Sequence, residues 1–244
     1  MSQLAVLATA DGTSRGHRTL AEKAFDTLHS AIITGRLRPG TRLPIEELAE
    51  LLEMSPMPIR EAVRRLDAAG LVENIPHRGA RVTELSIKDL AEVYEARLAL
   101  ETLAIRRAAE RFEPSHALDA RRSLDQLAAL ADEASAAASE AHTRFHFALY
   151  DAAGSAWLLR LILPVWETSE RYCLEAPAVR RLAQRADEHD EILAACEARD
   201  GDRAATALHD HLAVTANSLA RAMGGKPIIA LSRAAGGQAG VPSG

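Results

Sequence analysis

The chain has 244 residues, 48% of them hydrophobic but only 4% aromatic, and a net charge of −5. That length suits one large domain or two small ones, and the acidic balance excludes a protein that holds nucleic acid through overall positive charge. No apolar run approaches the ~20 residues of a membrane span. The opening MSQLAVLATADGTSRGH also lacks the basic start and long apolar core of a secretory signal, so a cytoplasmic protein with no membrane partner is expected. The hydrophobic excess is Ala and Leu, the residues that lose least on entering a helix, which predicts a mainly α fold. Cys173 and Cys196 fit a reducing compartment, either as core residues or as a disulfide or metal pair.

In chain order, residues 1–17 are polar and aperiodic and read as a disordered arm. A helix is predicted from about Thr19 to Thr34, where Ala21, Ala24, Phe25, Leu28, Ala31 and Ile32 keep the spacing of one buried face. Gly35 ends it, and a turn follows through Pro39-Gly40. A second helix spans about Ile45–Leu52. A third starts after Ser55, a good N-cap whose hydroxyl can accept from a first-turn amide, with Pro56 at the first helical position. Ile59, Ala62, Val63 and Leu66 form its inner stripe, while Arg60 and Arg64, four apart, share the outer face. Residues 71–74 and 80–83 read as two strands around the turn Ile75-Pro-His-Arg-Gly79. From Ser86 everything reads as helical, near 86–111, 115–136, 139–153, 155–174, 178–199 and 202–222, and the stretch from Gly224 reads as a flexible tail. The expected domains are therefore 18–84 and 85–223.

Two helices joined by a short turn, the second carrying an arginine ridge, describe a helix-turn-helix. Residues 19–84 hold nine Lys/Arg and ten Asp/Glu, so any positive face must come from charge separation within the domain. His77, Arg78 and Arg81 supply a basic wing, while Glu46, Glu47, Glu50 and Glu53 gather on the second helix. The combination Pro39-Gly40, Glu47-Leu48-Ala49, Pro58-Ile59-Arg60-Glu61-Ala62, Gly70-Leu71-Val72 and Pro76-His77-Arg78-Gly79 resembles the winged helix-turn-helix of the GntR family. The resemblance covers about 65 residues. It implies that Arg60 and Arg64 enter the major groove, where a guanidinium can bond two acceptors of guanine. It also places Arg42, Ser55, Met57 and the wing residues His77, Arg78 and Gly79 at the DNA. Two departures stand out. Pro56 occupies a position where many members carry a basic residue, and Glu53 occupies a turn position often held by Gly, where a small local adjustment is expected.

In the second half, His142 and His146 are four apart on one predicted helix, and His189 and His211 fall on two later ones. Imidazoles projecting into a bundle from separate helices can form a metal site, although on spacing alone a surface or satisfied core role is the better reading of any one of them. The segments Tyr94-Glu-Ala-Arg97 to Glu101, Arg144-Phe-His146, Ala152-Ala-Gly154, Glu188-His189-Asp-Glu-Ile192 and His211-Leu212 are similar to the FCD ligand-binding domain of FadR-type GntR regulators. That resemblance implies a homodimer on double-stranded operator DNA and a small organic acid as effector, with Arg97, Tyr94 and Tyr172 in the effector pocket. It also implies a divalent metal, zinc or nickel, on His142, His146, His189 and His211, with His142 standing where many members carry Asp. By itself the Arg97/Glu101 spacing fits a simple i, i+4 ion pair as well. Two rival readings are a metal-dependent hydrolase tethered to DNA, although nothing like HExxH is present, and an architectural DNA-binding protein without effector.

Overall fold

The computed structural model describes residues 4, 7, 19–75, 79–130, 135–179 and 186–232. The chain divides into two compact units, Met1–Ser86 and Ile87–Gly244.

The first unit contains α1 (Leu20–Ile33), β1 (Arg42–Leu43), α2 (Ile45–Leu51), α3 (Pro56–Ala68), β2 (Val72–Ile75) and β3 (Gly79–Val82). Thr19 opens α1 with a capping box: its Oγ1 accepts from the Glu22 amide, and the Glu22 carboxylate accepts from the Thr19 amide. The apolar stripes converge as the periodicity predicts, with Leu28 and Ile32 from α1, Leu48 from α2, and Ile59, Val63 and Leu66 from α3 in one core. Each such side chain contributes about 1.5–3 kcal/mol on burial. That outweighs the exposed ion pairs of this unit, worth about 0–1 kcal/mol each.

The sheet has three strands in the order β1-β3-β2, all antiparallel. The third strand, β1, was not expected. It forms because Leu43 is drawn into the core and Arg42 then pairs with Arg81. Leu4 and Leu7, inside the stretch expected to be disordered, are buried in the same core.

At the end of α2 the Met54 amide bonds to the Ala49 carbonyl and the Glu53 amide to the Glu50 carbonyl. These two bonds define a Schellman turn, whose outer residue takes the left-handed conformation. Here that residue is Glu53, with φ 52°. The expected local adjustment is therefore a strained backbone rather than an altered turn.

The second unit is all helical: α4 (Ile87–Glu110), α5 (Pro114–Ala129), α6 (Ala136–Asp151), α7 (Ala156–Glu175), α8 (Ala186–Glu197) and α9 (Gly201–Ala222). Helix α4 packs on α9 and α7, α5 on α6, and α8 on α9. Side chains of Ser135, Ser155 and Asp200 cap α6, α7 and α9. The predicted break between 136 and 139 thus lies earlier, because α5 ends at Ala129 and the Ser135 hydroxyl starts the next helix. All three tyrosines of the chain, Tyr94, Tyr150 and Tyr172, are buried in this unit.

The residues after α9, expected to be loose, are held over their described part. Asn217 accepts from the amides of Ile228 and Ile229 and donates to the Ile229 carbonyl, and Asp210 accepts from the Ser232 amide. Among the described residues no helix is long and apolar enough to cross a membrane.

Candidate functional site

Four imidazoles meet in the interior of the helical unit. His142 and His146 come from one face of α6, His189 from α8 and His211 from α9, all buried. One ring nitrogen from each lies within 4.8 Å of the others. His146 Nε2 is 3.1 Å from His142 Nε2 and 3.2 Å from His189 Nε2. Around a tetrahedral zinc, nitrogens at the usual bond length stand ~3.3 Å apart, so these spacings are those of a shared ligand sphere. The donor chemistry fits as well. His211 Nδ1 lies 2.8 Å from Glu188 Oε2, an outward bond to a carboxylate of the kind that orients metal-binding imidazoles. Burial, followed by the neighbouring His142, His189, His211 and Arg97, holds the His146 pKa well below the ordinary histidine value, so its ring is neutral and able to ligate. The residues present therefore fit a divalent metal ion.

Beside this cluster runs a buried polar chain. Arg97 and Glu101, one turn apart on α4, pair through both arms, Nε to Oε1 at 2.6 Å and Nη2 to Oε2 at 3.1 Å. Arg97 Nη1 donates to Ser169 Oγ of α7 at 2.9 Å. Burial acts to lower the Arg97 pKa, but the Glu101 carboxylate overrides it and the net shift is upward. The guanidinium also lies 4.6 Å from the Trp166 ring centre and 5.0 Å from that of Tyr94. The Tyr150 hydroxyl donates to Glu101 Oε2 at 2.6 Å and is 3.2 Å from His146 Nδ1. The Tyr94 hydroxyl is buried without a hydrogen-bond partner among the described residues, a state that costs about 1–3 kcal/mol unless a ligand or water satisfies it. Tyr172 is also buried, and its hydroxyl donates to Asp89 at 2.6 Å. A cavity of about 340 Å³ lined by Asp187, Glu188, Glu191, Asp210 and Val214 reaches His211 from the surface.

In the first unit, α3 presents Arg60, Arg64 and Met57 outward, Met57 being 72% exposed. Both arginines carry counter-ions, Arg60 on Glu46 of α2 at 3.1 Å and Arg64 on Glu61 at 2.8 Å. That hydrogen bond and charge hold the Glu61 pKa below the usual carboxylate range. Ser55 has N-cap backbone geometry, but its side chain makes no capping bond, contrary to expectation. Its exposed hydroxyl remains available to an outside group. Arg42 is exposed on β1, and Gly79 takes a φ of 80° at the start of β3. His77 and Arg78 lie outside the described residues. Arg81 does not enlarge a basic wing, because it sits between Glu73 at 2.7 Å and Glu84 at 3.1 Å. Its position directly opposite Glu73 in the β2–β3 register brings the pair together.

A match to the bacterial regulatory proteins of the gntR family spans residues 20–82, and a match to the FCD domain spans residues 92–214. The chain belongs to the GntR family. A probable D-xylose utilization operon transcriptional repressor of Paenarthrobacter nicotinovorans is 34% identical, over 88% of this chain and 96% of the relative. The transcriptional repressor GlaR of Escherichia coli K12 is 28% identical, over 81% of this chain and 94% of the relative. The solved structure of E. coli McbR/YncC superposes with a TM-score of 0.70 at 25% identity, covering 84% of this chain and 99% of that one. This GntR protein is thus a DNA-binding transcriptional regulator with an FCD effector-binding domain, and its architecture is that of a regulator, not an enzyme.

Within this GntR/FCD framework, sequence reasoning missed three residues that shape the site: Glu188 as the partner of His211, and Tyr150 and Ser169 around Arg97. Tyr150 carried a usable signal, since it lies one turn beyond His146 on the same helix. Ser169 carried none, being 72 residues from Arg97.

Proposed function

We propose that this protein is a homodimeric, FadR-type repressor whose helical domain binds a small organic acid together with a divalent metal ion, zinc or nickel. The reading domain, 18–84, contacts operator DNA through Arg60 and Arg64 of α3, with Arg42, Ser55 and Met57 nearby and His77, Arg78 and Gly79 on the wing. Arginine forks suit guanine edges, and the Ser55 hydroxyl and exposed arginines suit phosphates. The names of the relatives from P. nicotinovorans and E. coli favour repression. A symmetric dimer matches the two half-sites such regulators read.

His142, His146, His189 and His211 hold the metal in the effector domain, 85–223. When bound, it supplies a Lewis-acidic centre that attracts a carboxylate. Arg97 anchors the acid through charge-assisted bonds, the unpartnered Tyr94 hydroxyl bonds a polar atom of the ligand, and Tyr172 supports the wall through Asp89. The observation that carries this reading is the meeting of four buried imidazoles next to a buried arginine. Four imidazole nitrogens favour late first-row dications over calcium or magnesium, which take oxygen ligands.

The test is elemental analysis of protein purified without a metal-affinity tag, before and after dialysis against zinc or nickel, followed by operator gel shifts with a panel of small carboxylates. One metal per chain, lost in His146→Ala and His189→Ala, together with an acid that releases DNA, supports the proposal. Absence of metal after reconstitution overturns its metal part, and absence of any responsive acid overturns its effector part.

A further inference from the structure

We infer that Tyr150 and Glu101 are positioning residues that lock the His146 ring in a single tautomer and so tie the imidazole cluster to Arg97. The inference rests on the metal reading above and concerns hydrogen bonds on the far side of the ring. The Tyr150 hydroxyl has one proton and two neighbours, Glu101 Oε2 at 2.6 Å and His146 Nδ1 at 3.2 Å. Glu101 is gripped by both arms of Arg97 and can only accept, so the phenolic proton goes to the shorter, charge-assisted bond. The phenol oxygen is then left as an acceptor. A neutral imidazole has one N–H and one bare nitrogen, so His146 must donate from Nδ1. Its Nε2 is consequently an unshared lone pair, aimed at the Nε2 atoms of His142 and His189.

The chain Arg97, Glu101, Tyr150, His146 lies wholly inside the helical unit, each member buried. Burial keeps these bonds away from bulk solvent, and low dielectric strengthens them. In the apoprotein a lone pair at His146 Nε2 obliges His142 or His189 to turn an N–H toward it. With a dication present, that lone pair becomes a ligand without any tautomer change. Tyr150 thus prepares the ring for metal, and removing such an outer bond usually lowers metal affinity 10–100-fold. Because Glu101 Oε2 serves both Arg97 and Tyr150, any anion that draws Arg97 away from Glu101 perturbs the same bond.

The experiment compares wild type and Tyr150→Phe by nitrogen-15 NMR of the histidine rings in metal-free protein at neutral pH, and by zinc competition against a chromogenic chelator. The wild-type spectrum is expected to show His146 protonated at Nδ1 and bare at Nε2. Tyr150→Phe, which keeps the ring and loses only the hydroxyl, is expected to mix the tautomers and to raise the zinc Kd about tenfold or more. A wild-type His146 protonated at Nε2 overturns the inference, even if the variant fails to fold. An unchanged tautomer in Tyr150→Phe overturns it as well. If the tautomer shifts but wild type takes up no zinc, the positioning role stands and the metal reading falls.

Discussion

Arg60, at the exposed face of α3, is held at 3.1 Å by Glu46 of α2. The residue proposed to read DNA is therefore already paired in the structure, and binding through it would exchange a carboxylate for base edges or phosphate. Because both partners are more than half exposed, the pair contributes little to stability. Arg60→Ala is accordingly expected to leave the unfolding midpoint nearly unchanged and to weaken specific operator binding by about 1–3 kcal/mol. Glu46→Gln is expected to tighten binding modestly, because the competing carboxylate is gone. Equilibrium binding to an operator fragment at fixed salt, with stability followed in urea, checks both; unaltered affinity in a folded Arg60→Ala protein would remove the recognition-helix assignment.

Arg97 behaves differently because its pair is buried. Its side chain and that of Glu101 are 6% and 0% exposed. Arg97→Met alone strands a carboxylate in the interior and is expected to destabilise the domain by about 3–5 kcal/mol. Adding Glu101→Gln removes the stranded charge while keeping an acceptor for Tyr150, so the double variant is expected to recover much of that loss. It should still bind operator and no longer respond to carboxylate. Urea unfolding of the three proteins, with gel shifts of the double variant, separates the roles. A double variant that still releases DNA at the wild-type acid concentration shows that Arg97 is not the anchor.

The pH dependence follows from His146, whose pKa in the folded protein lies well below its ordinary value, chiefly through burial. The unfolded chain takes up a proton near pH 6.5, whereas the native site does not. Stability of the metal-free protein is therefore full above about pH 6.5 and falls as pH drops toward the native pKa. The limit is about 1.4 kcal/mol per pH unit from this one group. Proton competition for the His146 nitrogen of the folded protein should weaken metal binding only below that window, as pH nears its depressed native pKa. Unfolding midpoints from pH 8 to 5, in wild type and in His146→Gln, measure the effect; an identical slope in both proteins would assign it elsewhere.

Glu53 and Arg199 both close helices in the left-handed region, with φ of 52° and 54°, but their replacement by glycine should not have the same result. A non-glycine residue there costs about 1–2 kcal/mol, and glycine gives back about 0.5–1 through its freer unfolded chain. Glu53→Gly is thus expected to stabilise by about 0.5–1 kcal/mol. Arg199 also donates from Nε to the Phe112 carbonyl at 3.1 Å, so Arg199→Gly should gain nothing or lose. Urea midpoints with unchanged m-values decide the comparison.

The sequence by itself determined the helices, their inward stripes, the arginine pair on α3 and the four histidines that share a core. These are periodic features, written within one element or in the spacing of neighbours, and burial acts on them locally. The sequence stopped short of β1, whose two residues carry no strand pattern and form one only because β3 is there to pair with. It also stopped short of the state of the charges. Arg81 is neutralised by the strand opposite, and the Ser55 hydroxyl caps nothing. The chain from Arg97 to His146 and on to His189 joins residues up to 49 and 43 positions apart. Such pairings belong to the tertiary structure, because a polar group gains a partner, a tautomer or a shifted pKa only from what the packed fold brings within about 3 Å of it.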